Sequence, residues 1–387
     1  MMCLPVSHIF IHTYKPMTDR MNVVKDKIFR RRGKGHRHGY ETGWRHGYRL
    51  GACQSVLRRV ASRPFPVRDV KAMYVPQGFE AIDSGVIEAL QASVRECIIA
   101  EPQRMLDLAL ETKPDLLLVM NGLHVFPEEH HDHLDRIRGS GIRTAVWLAD
   151  DPYFTDDTAR NAPHYDYIFT HEMNCIEFYR SLGCGQVHYL PLATSSRIFH
   201  PRRTGLEYES DVCFIGNAFW NRVALFDELA PYLADKKVVI AGGHWERLSR
   251  FETLKRHIRP GWTPIEETAN YYNGAKIVIN MHRPIEAGSD NRNGRNIRGT
   301  SINPRTYEIS GCGTLQITDV REDLHHLYRP GSDIETFASA SELRDKIEFY
   351  LSHEKERLAI ALRGLRTTRE NHMFADRLNR LFEIIFS

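Results

Sequence analysis

The stretch Ile302 to Asp319, INPRTYEISGCGTLQITD, reads as a helix start, a short helix and a strand in succession. Asn303 is a favoured N-cap, and Pro304 suits the first helical position because its missing N–H would be unpaired there anyway. Gly311 and Gly313 end the helix before the apolar run LQIT. A helix N-terminus presents free backbone N–H groups and partial positive charge, a setting for a phosphate. Arg305 lies in the first turn, where a cation is unfavourable unless an anion joins it. Glu308, one turn on, could accept hydrogen bonds from two adjacent hydroxyls such as a ribose diol. Tyr307 offers an aromatic face that serves core packing equally well. A capped helix leading into a strand, with no ligand at all, is the plainer reading.

Outward from this stretch the alternation of strand and helix continues in both directions. From about Arg68, short apolar runs (VKAMYV, CIIA, DLLLVM, TAVWLA, YDYIFT, VHYLP) alternate with helical patterns (SGVIEALQASV, EPQRMLDLALETK, PEEHHDHLDRIRGSG, NCIEFYRSLGC). Uninterrupted apolar strands are those covered on both faces, as in parallel sheets. After the polar break PLATSSRIFHPRRTGLEYES the alternation restarts with DVCFIG, KKVVIAG, AKIVINM, GTLQIT and IETFA, and with helical runs that include 339–370 and a closing amphipathic FADRLNRLFEIIF. The expectation is an α/β chain with two Rossmann-like, doubly wound sheets in tandem behind a helical N-terminal extension. Ligands of such sheets lie beyond the carboxyl ends of the strands, and tandem domains enclose a cleft there.

Two further pieces point to the same anion. In CFIGNAFWNR, Gly216 follows a strand and precedes a helix, so the backbone can approach a phosphate closely; Asn217 and Arg222 lie within reach. An ordinary turn explains the glycine equally well. The loop HRPIEAGSDNRNGRNIRGTS, residues 282–301, carries Arg283, Arg292, Arg295 and Arg298. A polar loop this long is functional or solvated, and both readings stand at this point.

The runs NPRTYEISGCGTLQITD, LYRPGSDIETFASASELRDKIEFYLSHEKERLAIALRG and HMFADR resemble the C-terminal half of the spore-maturation CgeB/YkvP family, which is glycosyltransferase-like; WLADDPYF and FTHEMNCIEFYRSLGC resemble its N-terminal half. The resemblance spans roughly Arg68 to the C-terminus. It implies the GT-B fold, two Rossmann-like domains facing a cleft, and a nucleotide-sugar donor held by the C-terminal one. On that pattern Glu308 would hold the ribose. Asn303, Arg305, Gly313 and Thr314 would lie near the diphosphate, with Gly216, Asn217 and Arg222 opposite. The implied domains are an extension at 1–67, an acceptor domain at 68–200, a donor domain at 201–370 and a final helix at 371–387 crossing back. The implied activity is sugar transfer from a nucleotide diphosphate donor to a glycan or protein acceptor, with no bound metal or other cofactor. A structural spore-coat protein and a sugar-nucleotide epimerase share the fold and stay open as alternatives. Many retaining enzymes of this fold carry a second glutamate eight positions before the ribose-binding one; that position is Thr300 here, so the stereochemical outcome is undecided.

Three strand ends of the first domain could supply a general base to deprotonate an acceptor: His124, Asp150–Asp151, and His171–Glu172. Asp151 is the first choice among the catalytic candidates Asp151, His124 and His171, against the alternative that it caps the turn before Pro152. PEEHHDHLD reads as a solvated helix face rather than a metal site.

A net charge of +3 over 387 residues gives no argument for nucleic acid, although Lys25–His38 is locally basic. Seven scattered cysteines without paired spacing fit a reducing, cytoplasmic setting, to which the resemblance adds a spore association, and no apolar run reaches the length of a membrane span. The remaining motif is GHRHGYETGWRHGYRLG, with a glycine at every fourth position from Gly35 to Gly51. Such a stripe lets another helix approach closely, within this chain or between copies in a homo-oligomer. Sugar or anion contact by His36, His38, Trp44 and Tyr48 is the lesser alternative.

Overall fold

The apolar runs DLLLVM, TAVWLA and KKVVIAG become strands buried on both faces, while CIIA lies at a sheet edge and leaves Ile99 exposed. The computed structural model describes the backbone of residues 17–61 and 64–387, and the side chains of residues 36, 37, 39–61 and 64–387. The first sixteen residues, most side chains of the basic run and that of His38 lie outside the described residues. By its contacts the chain divides into two units, Met1–Gly51 and Ala52–Ser387.

In the larger unit, strands β1 (Arg68–Val75), β2 (Val94–Ile99), β3 (Leu116–Met120), β4 (Arg143–Leu148), β5 (Tyr167–Thr170) and β6 (Val187–Tyr189) form a parallel sheet in the order β2-β1-β3-β4-β5-β6. A second parallel sheet joins β7 (Ser210–Ile215), β8 (Val238–Gly242), β9 (Ile258–Pro260), β10 (Ala275–Asn280), β11 (Leu315–Asp319) and β12 (Glu335–Phe337) in the order β12-β11-β10-β7-β8-β9. The strand β9 is too short to read from sequence. The helical run 339–370 is two helices, Ala340–Ser352 and Glu354–Asn371, broken at His353. Both sheets reverse their winding once, between β1 and β3 and between β7 and β10. A crevice opens at such a switch point. The loops that begin at Gly216 and Met281 leave the second sheet there.

The two sheets share apolar packing. Ile302, Tyr307, Leu324 and Tyr328, from the C-terminal half, are buried in the same cluster as Tyr74, Leu118 and Trp147 of the first sheet. The last helix, Phe374–Ile385, belongs to that cluster through Phe374, Leu378, Leu381 and Phe382. Phe374 meets Trp147 edge-on at 6.1 Å. Its seat depends on Gly85 in the Glu80–Ser93 helix, since a Cβ there would stand 2.3 Å from the Phe374 ring. The arginine-rich loop is pinned to the first domain at a few residues, while Arg292, Arg295 and Arg298 are exposed. Thr155 Oγ1 donates to Asn293 Oδ1 at 2.9 Å, the Asp156 N–H donates to the Arg292 carbonyl at 3.0 Å, and Asn291 and Asn293 are buried.

The smaller unit holds most of the Met17–Leu57 helix. Its Trp44 and Tyr48 stack at 5.3 Å, and Tyr40, Trp44 and Tyr48 are exposed. Among the described residues, nothing lies within 4 Å of a Cβ built on Gly39, Gly43, Gly47 or Gly51.

Truncating Phe374 removes a fully buried ring that links the closing helix to the first sheet. Phe374→Ala is expected to cost roughly 3–5 kcal/mol, read as an earlier denaturant midpoint. Gly85→Val should be destabilising in the same assay because the new side chain collides with that ring.

Candidate functional site

The Pro304–Gly311 helix fixes the site, and buried polar groups fix the helix. Asn303 Oδ1 accepts the Thr306 N–H at 3.1 Å, the capping bond anticipated from the sequence. Asn280, at the end of β10, exchanges amide hydrogen bonds with Asn303 at 3.1 and 2.9 Å and donates to Thr306 Oγ1 at 3.0 Å. Gln316 Nε2 donates to the Thr306 carbonyl at 2.6 Å and to Ser310 Oγ at 2.7 Å. The backbone N–H of Asn303 donates to His282 Nε2 at 2.9 Å, while His282 Nδ1–H donates to Asp319 Oδ1 at 2.6 Å. The imidazole is therefore neutral with its proton on Nδ1. Burial pushes its pKa down to about 4, Asp319 opposing and Arg321 and Arg222 adding to the shift. Burial acts to raise the Asp319 pKa, but His282 and Arg321 outweigh it and hold the carboxyl well below its usual range.

This helix faces a cavity of about 360 Å³ between the carboxyl ends of the two sheets. Gly216, Asn217, Arg222, Asn303, Arg305 and Glu308 line it from the second domain; Asp150, Tyr153 and His171 line it from the first. The close approach of the first loop requires glycine. A Cβ on Gly242 would stand 2.2 Å from the Gly216 carbonyl oxygen, and one on Gly216 would stand 2.9 Å from Arg222 Nη1. Arg222 is buried and donates to the Met281 carbonyl at 3.1 and 2.6 Å and to the Asn217 carbonyl at 2.8 Å. Burial, then the nearby charge of Arg305, depresses its pKa. Arg283 sits over the rings of Tyr153, Phe154 and Phe219, 4.7–5.0 Å from their centroids. Among the described residues, the Arg305 guanidinium has neither a hydrogen bond nor an ion pair. Glu308 is buried, and burial pushes its pKa up to about 7, with Arg305 opposing. The arrangement concentrates cationic groups and N–H donors on one wall, with a carboxylate one turn away. An anion with attached hydroxyls is the chemistry it fits.

On the opposite wall His171 is buried, and neither ring nitrogen has a hydrogen-bond partner among the described residues. Asp150 accepts from Asn121 Nδ2 at 2.9 Å, and Asn121 Oδ1 in turn accepts the Ala149 and Asp150 N–H groups at 3.0 and 3.1 Å. Burial raises the Asp150 pKa, with Arg283 opposing.

Of the eleven residues singled out from sequence, His171, Gly216, Asn217, Arg222, Asn303, Arg305 and Glu308 line the cavity. Four do not. Asp151 turns inward, accepting from Thr170 Oγ1 at 2.6 Å and Tyr179 OH at 2.6 Å. Neighbouring residues at a strand end face opposite sides, and Asp150 takes the cavity side. His124, at φ 59°, stacks edge-on with Phe154 away from the lining. Gly313 and Thr314 follow the helix C-terminus, so the helix carries them away from its N-terminus. A Cβ on Gly313 would meet Cys53 Sγ at 2.8 Å, and Thr314 Oγ1 donates to the Tyr272 carbonyl at 2.8 Å. The sequence reading missed His282, Tyr153 and Trp262, whose exposed indole lies at the cavity lip. Their signal was position alone, within a few residues of the ends of β10, β4 and β9.

Residues 222–383 match a family model described as glycosyl transferase-like. Over 308 residues the chain is 32% identical to the spore protein CgeB of Bacillus subtilis, covering 77% of this chain and 93% of that protein. This chain belongs to the CgeB family. Anabaena Alr3699/HepE, solved in complex with UDP and glucose, superposes with a TM-score of 0.56 at 9% identity, over 82% of the CgeB-family chain and 99% of its own. A glycosyltransferase from Rickettsia africae gives 0.55 at 12% identity with the same coverage. Sucrose-phosphate synthase from Thermosynechococcus elongatus gives 0.54 at 11% identity, again with the same coverage. At these identities the likeness shows the fold, which is GT-B. No helix among the described residues is long and apolar enough to cross a membrane.

The raised pKa of Glu308 sets a direction for stability against pH. Its carboxyl holds a proton in the folded state between about 4.5 and about 7 that the unfolded chain has released. Stability is therefore lost as pH rises through that window. Glu308→Gln should flatten this limb and melt higher than the parent above pH 7, by up to about 3 kcal/mol, in melting curves recorded from pH 4 to pH 8.

Proposed function

We propose that this CgeB-family protein is a glycosyltransferase that moves a sugar from a nucleoside diphosphate to an acceptor hydroxyl. The reading is carried by Arg305 and Glu308, whose side chains face the cavity from one helix with no hydrogen-bond partner among the described residues. The diphosphate is the anion that Arg305, Arg222 and the helix N–H groups await, and Glu308 accepts from the ribose hydroxyls. Such fixed cations and dipoles favour the charge that develops on a departing diphosphate, in a site shielded from water. The Anabaena neighbour was solved with UDP and glucose, ligands of the same class.

For the transfer, His171 is the general base. Its ring takes the acceptor O–H proton as that oxygen bonds to the anomeric carbon, and the bond from that carbon to the diphosphate oxygen breaks with the electron pair leaving on phosphate. Asp150 lies on the same wall and favours the imidazolium electrostatically. The name of the Bacillus relative motivates an acceptor on the spore surface, a glycan or a protein.

A panel of UDP-, GDP- and ADP-linked sugars and their nucleoside diphosphates tests the reading by thermal shift and calorimetry. At least one nucleotide should bind. Arg305→Ala and Glu308→Ala should each weaken it about 10- to 100-fold, the loss of a charge-assisted contact. A panel without any binder overturns the proposal. His171→Ala should lower sugar release by about 10²- to 10⁴-fold while nucleotide affinity moves less than threefold.

A further inference from the structure

The residue after His171 makes a connection that the reaction scheme above leaves unused. Glu172 is buried at the end of β5, in the first domain. Its Oε2 accepts the N–H groups of Thr300 and Ser301, both at 2.9 Å, from the second domain. Its Oε1 accepts Thr300 Oγ1–H at 2.9 Å and both the N–H and the side-chain amide of Asn174 at 3.1 Å. Asn174 Nδ2 also reaches the Arg298 carbonyl at 3.1 Å and Thr300 Oγ1 at 2.9 Å. The Met173 N–H meets Ser301 Oγ at 3.3 Å. The second-domain segment held in this way runs directly into Ile302 and the Asn303 cap. A carboxylate accepting several donors is among the stronger polar contacts a protein makes, because each hydrogen bond is charge-assisted.

We infer that Glu172 is a positioning residue for the transfer: it locks the His171 strand end of the first domain onto the segment that leads to the donor helix of the second. The inference rests on the reading of the cavity as a donor site. Among the described residues His171 has no side-chain hydrogen bond of its own, so its distance from the donor is set by its backbone. Glu172 is the neighbouring residue that ties that backbone across the domain boundary. The donor contacts of Arg222, Arg305 and Glu308 lie wholly within the second domain and do not need the lock. Misplacement of a catalytic group by an ångström is enough to cost a large factor in rate.

The test compares Glu172→Gln with the parent, using the nucleoside diphosphate and nucleotide sugar that bind best in the panel above. Glutamine keeps the shape but turns an NH2 toward N–H donors. The lock predicts a 10- to 100-fold fall in the rate of sugar release, with nucleoside diphosphate affinity within threefold of the parent. It also predicts at least tenfold faster hydrogen exchange at the Thr300 and Ser301 amides. Thr300→Val, which removes one donor and spares the backbone, should show the same pattern at a few-fold amplitude and serves if the glutamine variant does not fold. An unchanged rate overturns the inference. So does a parallel loss of affinity and rate, which would mark a structural role only. If the parent binds no nucleotide, it is the donor-site reading that falls, and the exchange rates of the two amides still report on the lock itself.

Discussion

The capped N-terminus of the Pro304–Gly311 helix is the fixed point on which the rest of this molecule depends. Polar groups taken out of water must find partners, or each costs on the order of 1–3 kcal/mol. Asn280, Asn303, Thr306, Gln316 and Ser310 meet that demand among themselves. Their mutual satisfaction leaves one arrangement for the helix start. His282 adds a second restraint, since its neutral ring accepts the Asn303 N–H while Asp319 holds its other nitrogen. A capping N–H spent on His282 is outside the set aimed at the cavity. What remains free there is the helix's first turn, with Arg305 beside it and Glu308 one turn behind.

Most of this frame was legible in the sequence because it is written in local chemistry. Strands covered on both faces must be apolar throughout, so β3, β4, β7 and β10 stand out against any background. Asn303–Pro304 is a cap and first turn by composition alone, and the observed bond to Thr306 is the one such a cap makes. What the sequence withheld is orientation. Asp150 and Asp151 are adjacent and chemically identical, yet one lines the cavity and the other is consumed by Thr170 and Tyr179. Choosing between them needs the position of Tyr179, a residue on a later helix. The resemblance implied Gly313 and Thr314 near the diphosphate, but a two-turn helix carries them away from the N-terminus that lines the cavity. His282 and Trp262 carry no motif; only the packing of two sheets brings them to the same gap. The glycine ladder is the converse case, a strong local pattern whose partner is not among the described residues.

The two domains contribute unlike parts. The second supplies cationic groups, with Arg222 held by three hydrogen bonds to backbone carbonyls and the Arg305 guanidinium without a hydrogen bond among the described residues. The first lines the opposite wall with His171 and Asp150. In the proposed transfer neither part suffices alone, because an electrostatic cradle without a base holds a donor intact, and an acceptor deprotonated by a base has no carbon to attack when no donor is bound. The buried cluster that unites Tyr307 and Tyr328 with Trp147 and Phe374 keeps the two in one body. That packing is non-directional, however, and apolar contact alone does not fix a distance to an ångström.

Directional contact at the same boundary comes from Glu172. The family pattern sets a glutamate eight residues before the ribose-binding one in many retaining enzymes, and this chain has Thr300 there. The structure places a carboxylate against Thr300 all the same, delivered from the opposite domain. That carboxylate accepts five hydrogen bonds, so its lone pairs are engaged and it is poorly suited to attack a sugar carbon. A group so fully bonded is a structural tie by its chemistry. Because the tie ends one residue from His171 and two residues from the Asn303 cap, the distance it fixes is the one between base and donor in the proposed transfer.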